Sequence, residues 1–482
     1  MNIKKYIGNK TFYKSIFALI IPIMLQQLLI SVAGYIDNIM INNYTPNSIA
    51  YNGVSAANRL TFVLNFIWLG FATVSSIFIA QFFGSGNRKK NEETFRLGFY
   101  ISIIVGILST LVIIFFGNNV VDAYIESSES RAYGYEYLKY IKYGTIITVL
   151  NIFFANCFRT IEKAKIALAS STIGIITNIF FNYCFIYGNL GFPELGAGGA
   201  AIATTISRVF ELLVFVYFLF INKNSYFRNS FKAFFVTKLL FIDYIKKGIP
   251  LVLNEVFWSM GMVLLAKFYT YKNDIWYAAY SYSQNISDLF FIIFAGLGSG
   301  TAIVIGADLG QDNFDKALDD FNKLKGLSVF LGVTLGLLMI ALSPLIIKLF
   351  NPTEEIRRLT IYLVMITGIF TGIYCYNSVS FFTMRAGGDS IRAFILDETP
   401  TYLISLPLAI FFGMNAEKFG LNVVTVYLIS HSADLFKLWL SNFFTSKKKW
   451  LVNLTLKHKN IEEWKRFFNL FSFFIVSIKK MW

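Results

Sequence analysis

An acidic residue inside a long apolar segment is the first feature of this sequence that can carry chemistry. Asp37 follows Pro22 by 15 residues (37 − 22) in the segment I-I-P-I-M-L-Q-Q-L-L-I-S-V-A-G-Y-I-D-N-I-M-I. A carboxylate within a bilayer is costly unless it is protonated, paired or hydrated. Such a group is therefore a simple device for binding a proton or a cation. The alternative is a solvated acid near the outer end of the helix.

Two amides and a hydroxyl are candidate partners for such an acid. Asn178 and Asn182 are four residues apart, so they share one face of a helix. Amide oxygens suit Na⁺, and amides also hydrogen-bond a protonated carboxyl. Thr204, at the end of G-A-A-I-A-T, adds a hydroxyl. The alternative role for these side chains is hydrogen bonding between helices.

Further charged residues lie in apolar segments. Each acid of the second half can contact a cationic substrate or bind a second cation, or it can be structural. These acids are Glu255, Asp288, Asp397 and Glu398. Oppositely charged residues three apart on one helix are predicted to bind each other. These pairs are Arg208–Glu211 and Asp434–Lys437.

The elements that must position these residues occur twice. Pro22 and Pro250, which open the two copies, lie 228 residues apart (250 − 22). Four further pairs share an offset of 226, as in 310 − 84: Gly70 and Gly296, Gly84 and Gly310, Asn87 and Asn313, Arg159 and Arg385. We predict that the two arginines are structural anchors. Repeats of this kind are common in secondary transporters, whose site lies between the repeats.

Each copy contains six long apolar segments, so both copies enter the membrane from the same side as parallel repeats. The sequence thus predicts an all-α polytopic membrane protein with twelve transmembrane helices in two six-helix lobes. Pro22 and Gly34 are a predicted hinge in the first helix. The predicted spans are 15–41, 53–82, 95–117, 135–157, 166–187, 198–221, 244–270, 278–307, 326–349, 359–384, 392–413 and 419–445. The predicted domains are an N-lobe at 1–221, a basic linker at 222–243, a C-lobe at 244–446 and a tail at 447–482.

Composition supports the membrane class. Hydrophobic residues make up 56% of the chain and charged residues 15%, whereas soluble domains carry about 25% charged residues. The net charge of +15 comes mainly from alternate loops, so a nucleic-acid partner is not expected. The three cysteines have no metal-binding spacing, and no hydrolase, zinc-protease or Walker motif occurs, so neither a cofactor nor an enzyme is expected.

The loop charges predict the orientation. Lys and Arg concentrate at the N-terminus, in loops 2–3, 4–5 and 8–9, in the linker and at the start of the tail. Loops 42–52 and 188–197 contain neither residue, and loop 9–10, with Arg357 and Arg358, is the main exception. By the positive-inside rule, both termini are predicted to be cytoplasmic. The apolar stretch 464–482 is too short to span easily and is predicted to lie in the membrane interface or against the bundle.

The sequence resembles the multidrug and toxic compound extrusion (MATE) family over about residues 12–446. The resemblance rests on the first segment quoted above, on F-I-A-Q-F-F-G-S-G-N-R-K-K, and on the stretch 170–208. It implies two lobes around a central cavity and export of organic cations or amphiphiles in exchange for Na⁺ or H⁺. It also implies that Asn178, Asn182 and Thr204 gather near Asp37 as a coupling site. Some members have aspartate where Asn182 stands, so this chain has one acid, Asp37, where those members have two.

The same resemblance leaves the C-lobe incomplete and the function open between two hypotheses. Some members carry a coupling glutamate about one turn beyond Glu255, paired with an aspartate in helix 10, where this chain has no acid. The first hypothesis is an antiporter that works as a monomer in a bacterial plasma membrane. The second is a flippase for a lipid-linked saccharide or another amphiphile. The acidic intramembrane charges favour cationic cargo and therefore the antiporter.

Overall fold

Long apolar segments fold as helices because a bilayer offers no water to pair with the backbone. The computed structural model describes residues 3–46, 49–221, 225–271, 273–350 and 352–455, and in these ranges 12 helices are long and apolar enough to cross a membrane. The all-α prediction is confirmed. The helices are α1 Lys10–Asn42, α2 Ile49–Gly84, α3 Arg88–Tyr124, α4 Ser128–Thr160, α5 Ala164–Tyr187, α6 Gly196–Val216, α7 Lys238–Tyr269, α8 Asp274–Gly310, α9 Phe314–Ile346, α10 Glu354–Ala386, α11 Ser390–Met414 and α12 Val423–Ser446.

Several helices run past the predicted apolar spans because polar caps, not hydropathy, end them. Asn87 accepts a hydrogen bond from the backbone N–H of Lys90 at 3.2 Å and so begins α3. Its repeat partner Asn313 accepts one from Lys316 at 3.1 Å and begins α9. A side-chain acceptor at this position satisfies one of the free N–H groups of a first turn. The duplicated asparagines are therefore helix caps.

Helices α1 and α11 contain prolines near candidate residues. α1 continues through Pro22, which is buried, and through Gly34, where an added Cβ would meet nothing within 4 Å. α11 changes to a π-helical turn at Thr401–Ser405, directly after Pro400. Proline has no N–H to donate, so the regular hydrogen-bond ladder is interrupted there.

Helices α1–α6 form the N-lobe and α7–α12 the C-lobe, and duplicated glycines lie where the lobes touch. A Cβ on Gly70 of α2 would lie 3.0 Å from the Cα of Val252 on α7. A Cβ on Gly296 of α8 would lie 2.5 Å from the Cγ of Met24 on α1. The two contacts are equivalent under the repeat, since α2 and α8 occupy corresponding places. Small residues at these points allow helices in a bilayer to approach closely.

The helices α2 and α8 also meet each other at the end of the bundle that holds residues 3–6 and 447–455, which we call the terminal face. A Cβ on Gly84 would lie 2.0 Å from the carbonyl oxygen of Ala307. A Cβ on Gly310 would lie 1.9 Å from the carbonyl oxygen of Gln81. Because 307 − 81 and 310 − 84 both equal 226, this reciprocal glycine contact lies on the pseudo-twofold axis. It closes the terminal face.

The segment 447–455 crosses from the C-lobe to the N-lobe on this face. Trp450 is fully buried, and its indole N–H donates to the carbonyl of Thr445. The Gln81 side chain accepts from the N–H of Leu454 at 2.5 Å and donates to the carbonyl of Ala386 at 2.7 Å. The predicted interfacial stretch 464–482 lies outside the described residues.

Candidate functional site

The four residues of the N-lobe prediction lie together. Asn182 donates from Nδ2 to Oδ1 of Asp37 at 2.5 Å and to Oδ1 of Asn178 at 3.3 Å. Asn178 donates to the hydroxyl of Thr204 at 3.4 Å. If the Asn178 amide is turned over, its nitrogen donates to both oxygens of Asp37, at 2.7 and 3.3 Å. The structure thus brings α1, α5 and α6 together around one carboxylate, which we call the Asp37 site.

The Asp37 site is built from a half-buried acid and buried amides. Asn178 is 7% and Asn182 1% exposed, whereas Asp37 and Thr204 are half-buried. The Oδ1 oxygen of Asn182 is buried without a hydrogen-bond partner among the described residues. Carboxylate, amide and hydroxyl oxygens are hard ligands for Na⁺, and the same amides can hold a protonated carboxyl. The geometry therefore accommodates either coupling ion.

A series of charged and polar side chains continues from this site toward the terminal face. Arg208, one turn after Thr204 on α6, interacts electrostatically with Asp37 and donates to Glu211 at 2.7 Å. The predicted Arg208–Glu211 pair is confirmed. Glu211 also accepts from Ser171 of α5 at 3.1 Å.

This series of side chains ends at Arg159, the N-lobe member of the repeated arginine pair. Gln26 of α1 donates to Ser171 at 2.7 Å and accepts from Nε of Arg159 at 3.0 Å. Arg159 in turn interacts electrostatically with Glu211. This arginine ties the end of α4 to α1, one turn beyond Pro22.

The C-lobe acids form a second cluster on α7, α10, α11 and α12. Arg385 donates from both terminal nitrogens to Oε1 of Glu255, each at 3.0 Å. Asn254 donates to Asp397 at 3.1 Å and to Glu398 at 2.6 Å. Glu398 is 1% exposed, and its Oε2 has no hydrogen-bond partner in the described part of the chain. Glu255 interacts electrostatically with Asp397 and Glu398, so the three acids lie in one network.

Asp288, the fourth predicted acid of the C-lobe, does not join this network. It lies on α8, is exposed, and interacts electrostatically with Tyr35 of α1 across the boundary between the lobes. Tyr35 itself is 43% exposed. Asp288 is thus an accessible acid between the lobes.

The predicted pairing of Asp434 with Lys437 is wrong. Lys437 donates to Asp397 of α11 instead, and Asp434 accepts from Tyr374 of α10 at 3.3 Å. The reason is that Asp397 stands in the C-lobe where Ser171 stands in the N-lobe (397 − 171 = 226). Lys437, which stands where Glu211 stands, therefore meets a carboxylate of α11 at the point where Glu211 meets a hydroxyl of α5.

Equivalent positions of the repeat carry a sequence signal for the polar residues around the two clusters. Gln26 and Asn254 each follow a repeat proline by four residues and lie 228 apart. Glu211 and Lys437 lie 226 apart, as do Arg208 and Asp434, so charges are inverted at equivalent positions. Searching the repeat for equivalent polar positions would have found these residues.

Comparison with known proteins agrees with the repeat and the fold. The sequence pattern of the MatE family matches residues 22–184 and 250–413, beginning at the two repeat prolines. An uncharacterized transporter, YisQ of Bacillus subtilis (strain 168), is 25% identical over 446 residues, which cover 91% of this chain and 96% of that one. The probable multidrug resistance protein NorM of Thermotoga maritima is 23% identical, covering 93% of this chain and 96% of its own.

Solved structures show the same fold. A transporter of the MOP superfamily from Pyrococcus furiosus is similar with a TM-score of 0.81 at 20% identity, covering 93% of this chain and 98% of that one. A MATE protein in the straight conformation is similar with a TM-score of 0.82 at 19% identity, covering 92% and 97%. The MatE pattern covers more than half of the sequence and begins at the corresponding proline in each half. This chain therefore belongs to the MatE family of multidrug efflux transporters.

Proposed function

We propose that this protein is a secondary antiporter that exports organic cations or amphiphilic drugs in exchange for Na⁺ or H⁺. The observation that carries the proposal is the Asp37 site, in which a half-buried carboxylate of a spanning helix binds two buried amides. A carboxylate so placed alternates between an occupied, neutralised state and an empty, charged state. Because the two states differ in charge, occupancy biases the lobes between inward-facing and outward-facing forms.

The C-lobe acids support a cationic cargo. Four acids of the network, Glu255, Asp397, Glu398 and Asp434, face two bases, Arg385 and Lys437. Exposed Asp288 adds a further negative charge between the lobes. The exposed carboxylate of Asp288, at the boundary between the lobes, can attract a lipophilic cation. We propose that cargo enters beside Asp288 and Tyr35, where the ring offers a cation–π contact.

We propose that the terminal face is cytoplasmic and that the protein lies in a bacterial plasma membrane as a functional monomer. The concentration of Lys and Arg in the loops of this face supports this orientation. The bacterial relatives from Bacillus and Thermotoga support the location. With the terminal face closed by the glycine contact, this arrangement corresponds to an outward-facing state.

The test is export of ethidium, a fluorescent organic cation, from proteoliposomes under an imposed Na⁺ gradient or pH gradient. We expect one gradient to drive export by the natural protein, and Asp37→Asn to reduce export to the level of protein-free liposomes. Asparagine keeps the shape of the side chain but has no charge to neutralise. Asp315→Asn, an exposed acid in the first turn of α9, is the matched control and should export normally.

Two results would contradict the antiporter. Full gradient-driven export by Asp37→Asn would exclude Asp37 as the coupling carboxylate. Absence of export under either gradient, with the protein folded, would favour the flippase, and transfer of a lipid-linked saccharide between leaflets would then be measured.

A further inference from the structure

Two phenylalanines of the linker between the lobes lie outside the protein core. Phe234 is 80% and Phe235 91% exposed, and no other large apolar side chain of the described residues is exposed to this extent. A few residues earlier, Phe227 is fully buried, and its ring stacks on that of Phe95 of α3 with 4.3 Å between the ring centroids. The linker is therefore held on the N-lobe and presents two exposed rings.

Side chains of α3 pair with the backbone that carries these rings. The buried Arg96 donates to the carbonyl groups of Ser230 and Phe235, at 2.6 Å each. Tyr100 donates to the carbonyl group of Phe234 at 3.4 Å. Backbone without regular secondary structure is tolerated close to the hydrocarbon of a bilayer only where its polar groups are paired. These carbonyl groups meet that condition, so the segment can lie against the bilayer.

The contacts with α3 also set the height of the rings relative to the bilayer. The N–H of Thr237 donates to Glu93, near the charged beginning of α3, at 2.6 Å. Phe234 lies beside Tyr100, in the apolar part of the helix. One turn further on, Ile104 is 55% exposed, on a helix long and apolar enough to cross a membrane. The exposed rings therefore continue the lipid-facing surface of α3 at the terminal face.

Basic side chains flank these rings along the linker. Arg228, Lys232 and Lys238 are exposed, and no carboxylate of the described ranges pairs with any of them. Basic residues beside a bilayer are attracted to the phosphate groups of anionic lipids. Segments that lie in the membrane interface combine such residues with aromatic and aliphatic side chains. The charge and the apolar rings of the linker together complement an anionic phospholipid.

We propose that residues 228–238 are a membrane anchor, which we call the linker anchor. Phe234 and Phe235 insert among the lipids of the leaflet at the terminal face, and the three basic residues bind phosphate groups of anionic phospholipids. The N-lobe is thereby attached to this leaflet at the point where the chain passes to the C-lobe. This surface is separate from the Asp37 site, so the inference goes beyond the antiporter function and does not depend on it.

The first test is the accessibility of a nitroxide spin label at Phe235→Cys in proteoliposomes of phosphatidylcholine and phosphatidylglycerol. Oxygen is concentrated within a leaflet, whereas a water-soluble nickel chelate is excluded from it. We expect oxygen to relax this label more than the chelate does, as at Leu108→Cys on the lipid-facing side of α3. The exposed position Lys89→Cys, at the terminal-face end of α3, should show the opposite order. The native cysteines are buried and leave the introduced one for labelling.

Two other results of this measurement overturn the linker anchor. Relaxation by the chelate as strong as at Lys89→Cys would mean that the rings lie in water. Protection of the label from both reagents would mean that protein covers the rings, either the stretch 464–482 of this chain or a second copy.

The second test examines the basic residues while the two rings stay in place. Native mass spectrometry measures the phosphatidylglycerol that the purified protein retains. We expect Lys232→Gln with Lys238→Gln to weaken its binding about fivefold for each lysine removed, and to leave phosphatidylcholine binding unchanged. Lys447→Gln with Lys449→Gln removes the same charge from exposed positions of the same face and is the matched control. An equal loss in both double variants would reveal general attraction by the face and overturn the linker anchor.

Discussion

At the scale of single residues, the two lobes use equivalent positions with opposite charge. Arg208 and Glu211 of α6 correspond to Asp434 and Lys437 of α12. The N-lobe network balances its acids and bases, whereas the C-lobe network has four acids and two bases. Lys437 interacts with Asp397, Asp434 and Glu398, whereas Arg385 binds Glu255. Loss of a base in the C-lobe network should therefore lower the stability of the fold more than loss of a base at the protein surface.

Arg385→Met tests this expectation. The change leaves Glu255 buried without its partner, since the two side chains are 4% and 13% exposed. Breaking a buried ion pair costs about 3–5 kcal/mol, whereas an exposed pair contributes less than about 1 kcal/mol. We expect a large drop in the melting temperature in detergent, with Arg357→Met in the exposed pair to Glu354 as the control. Equal melting temperatures for the two variants would mean that leaving Glu255 without Arg385 costs no more stability than breaking an exposed ion pair.

At the scale of elements, α1 connects the coupling carboxylate to the lobe boundary. Gln26 and Asp37 of this helix bind side chains of α5 in the N-lobe, while Met24 lies against Gly296 of the C-lobe. A bend in α1 would therefore change the Asp37 site and the lobe contact together. Pro22 has no N–H for the carbonyl of Ala18, so bending costs least near this turn.

Pro22→Ala tests whether the helix bends there during transport. Alanine restores the missing hydrogen bond and favours a straight helix by up to about 3 kcal/mol. We expect slower ethidium exchange with unchanged or higher thermal stability. Pro344→Ala, at an exposed helical proline of α9, is the matched control and should export at the normal rate. Normal exchange by Pro22→Ala would show that transport does not need the bend.

At the scale of the whole molecule, the lobes meet through repeated glycines, and one contact breaks the symmetry. The carbonyl groups of Gln81 and Ala307 lie against Gly310 and Gly84 in the same way. The side chain of Gln81, however, also binds the backbone of Val452 and Leu454, which alanine at position 307 cannot do. The N-lobe thus holds the segment after α12, and this segment adds to the closure of the terminal face.

Gly310→Ala should open the terminal face. The added Cβ would lie 1.9 Å from the Gln81 carbonyl oxygen, and real contacts of this kind are not shorter than 3.0 Å, so α2 and α8 must separate by at least about 1 Å (3.0 − 1.9). Spin labels at Lys89→Cys and Asp315→Cys, exposed positions related by the repeat (315 − 89 = 226), report the separation by double electron–electron resonance.

The native cysteines of the described chain, Cys157, Cys184 and Cys375, are buried and should not interfere with labelling. The doubly labelled protein that keeps Gly310 is the control. We expect longer label distances for Gly310→Ala than for this control. Identical distance distributions would mean that the glycine contact does not hold the face closed.

The sequence by itself determined the class, the repeat and the Asp37 site. Twelve helices follow from apolar length, and the lobes follow from the constant spacing of glycines, asparagines and arginines. Asp37, Asn178, Asn182 and Thr204 were predictable because an intramembrane acid has few tolerated surroundings and the stretch that holds its partners resembles a known family. Helix ends were less predictable, since caps such as Asn87 extend helices beyond their apolar cores.

Only the tertiary structure decided which charged side chains bind each other across helices. Lys437 binds Asp397 on another helix and not Asp434 on its own, and Glu255 binds Arg385 of α10. Such choices depend on how each helix is rotated about its axis and which neighbours it contacts. In a bilayer both the lipid-facing and the buried side of a helix are apolar, so hydrophobic periodicity carries little information about that rotation. The partners of the C-lobe charges were therefore set by packing.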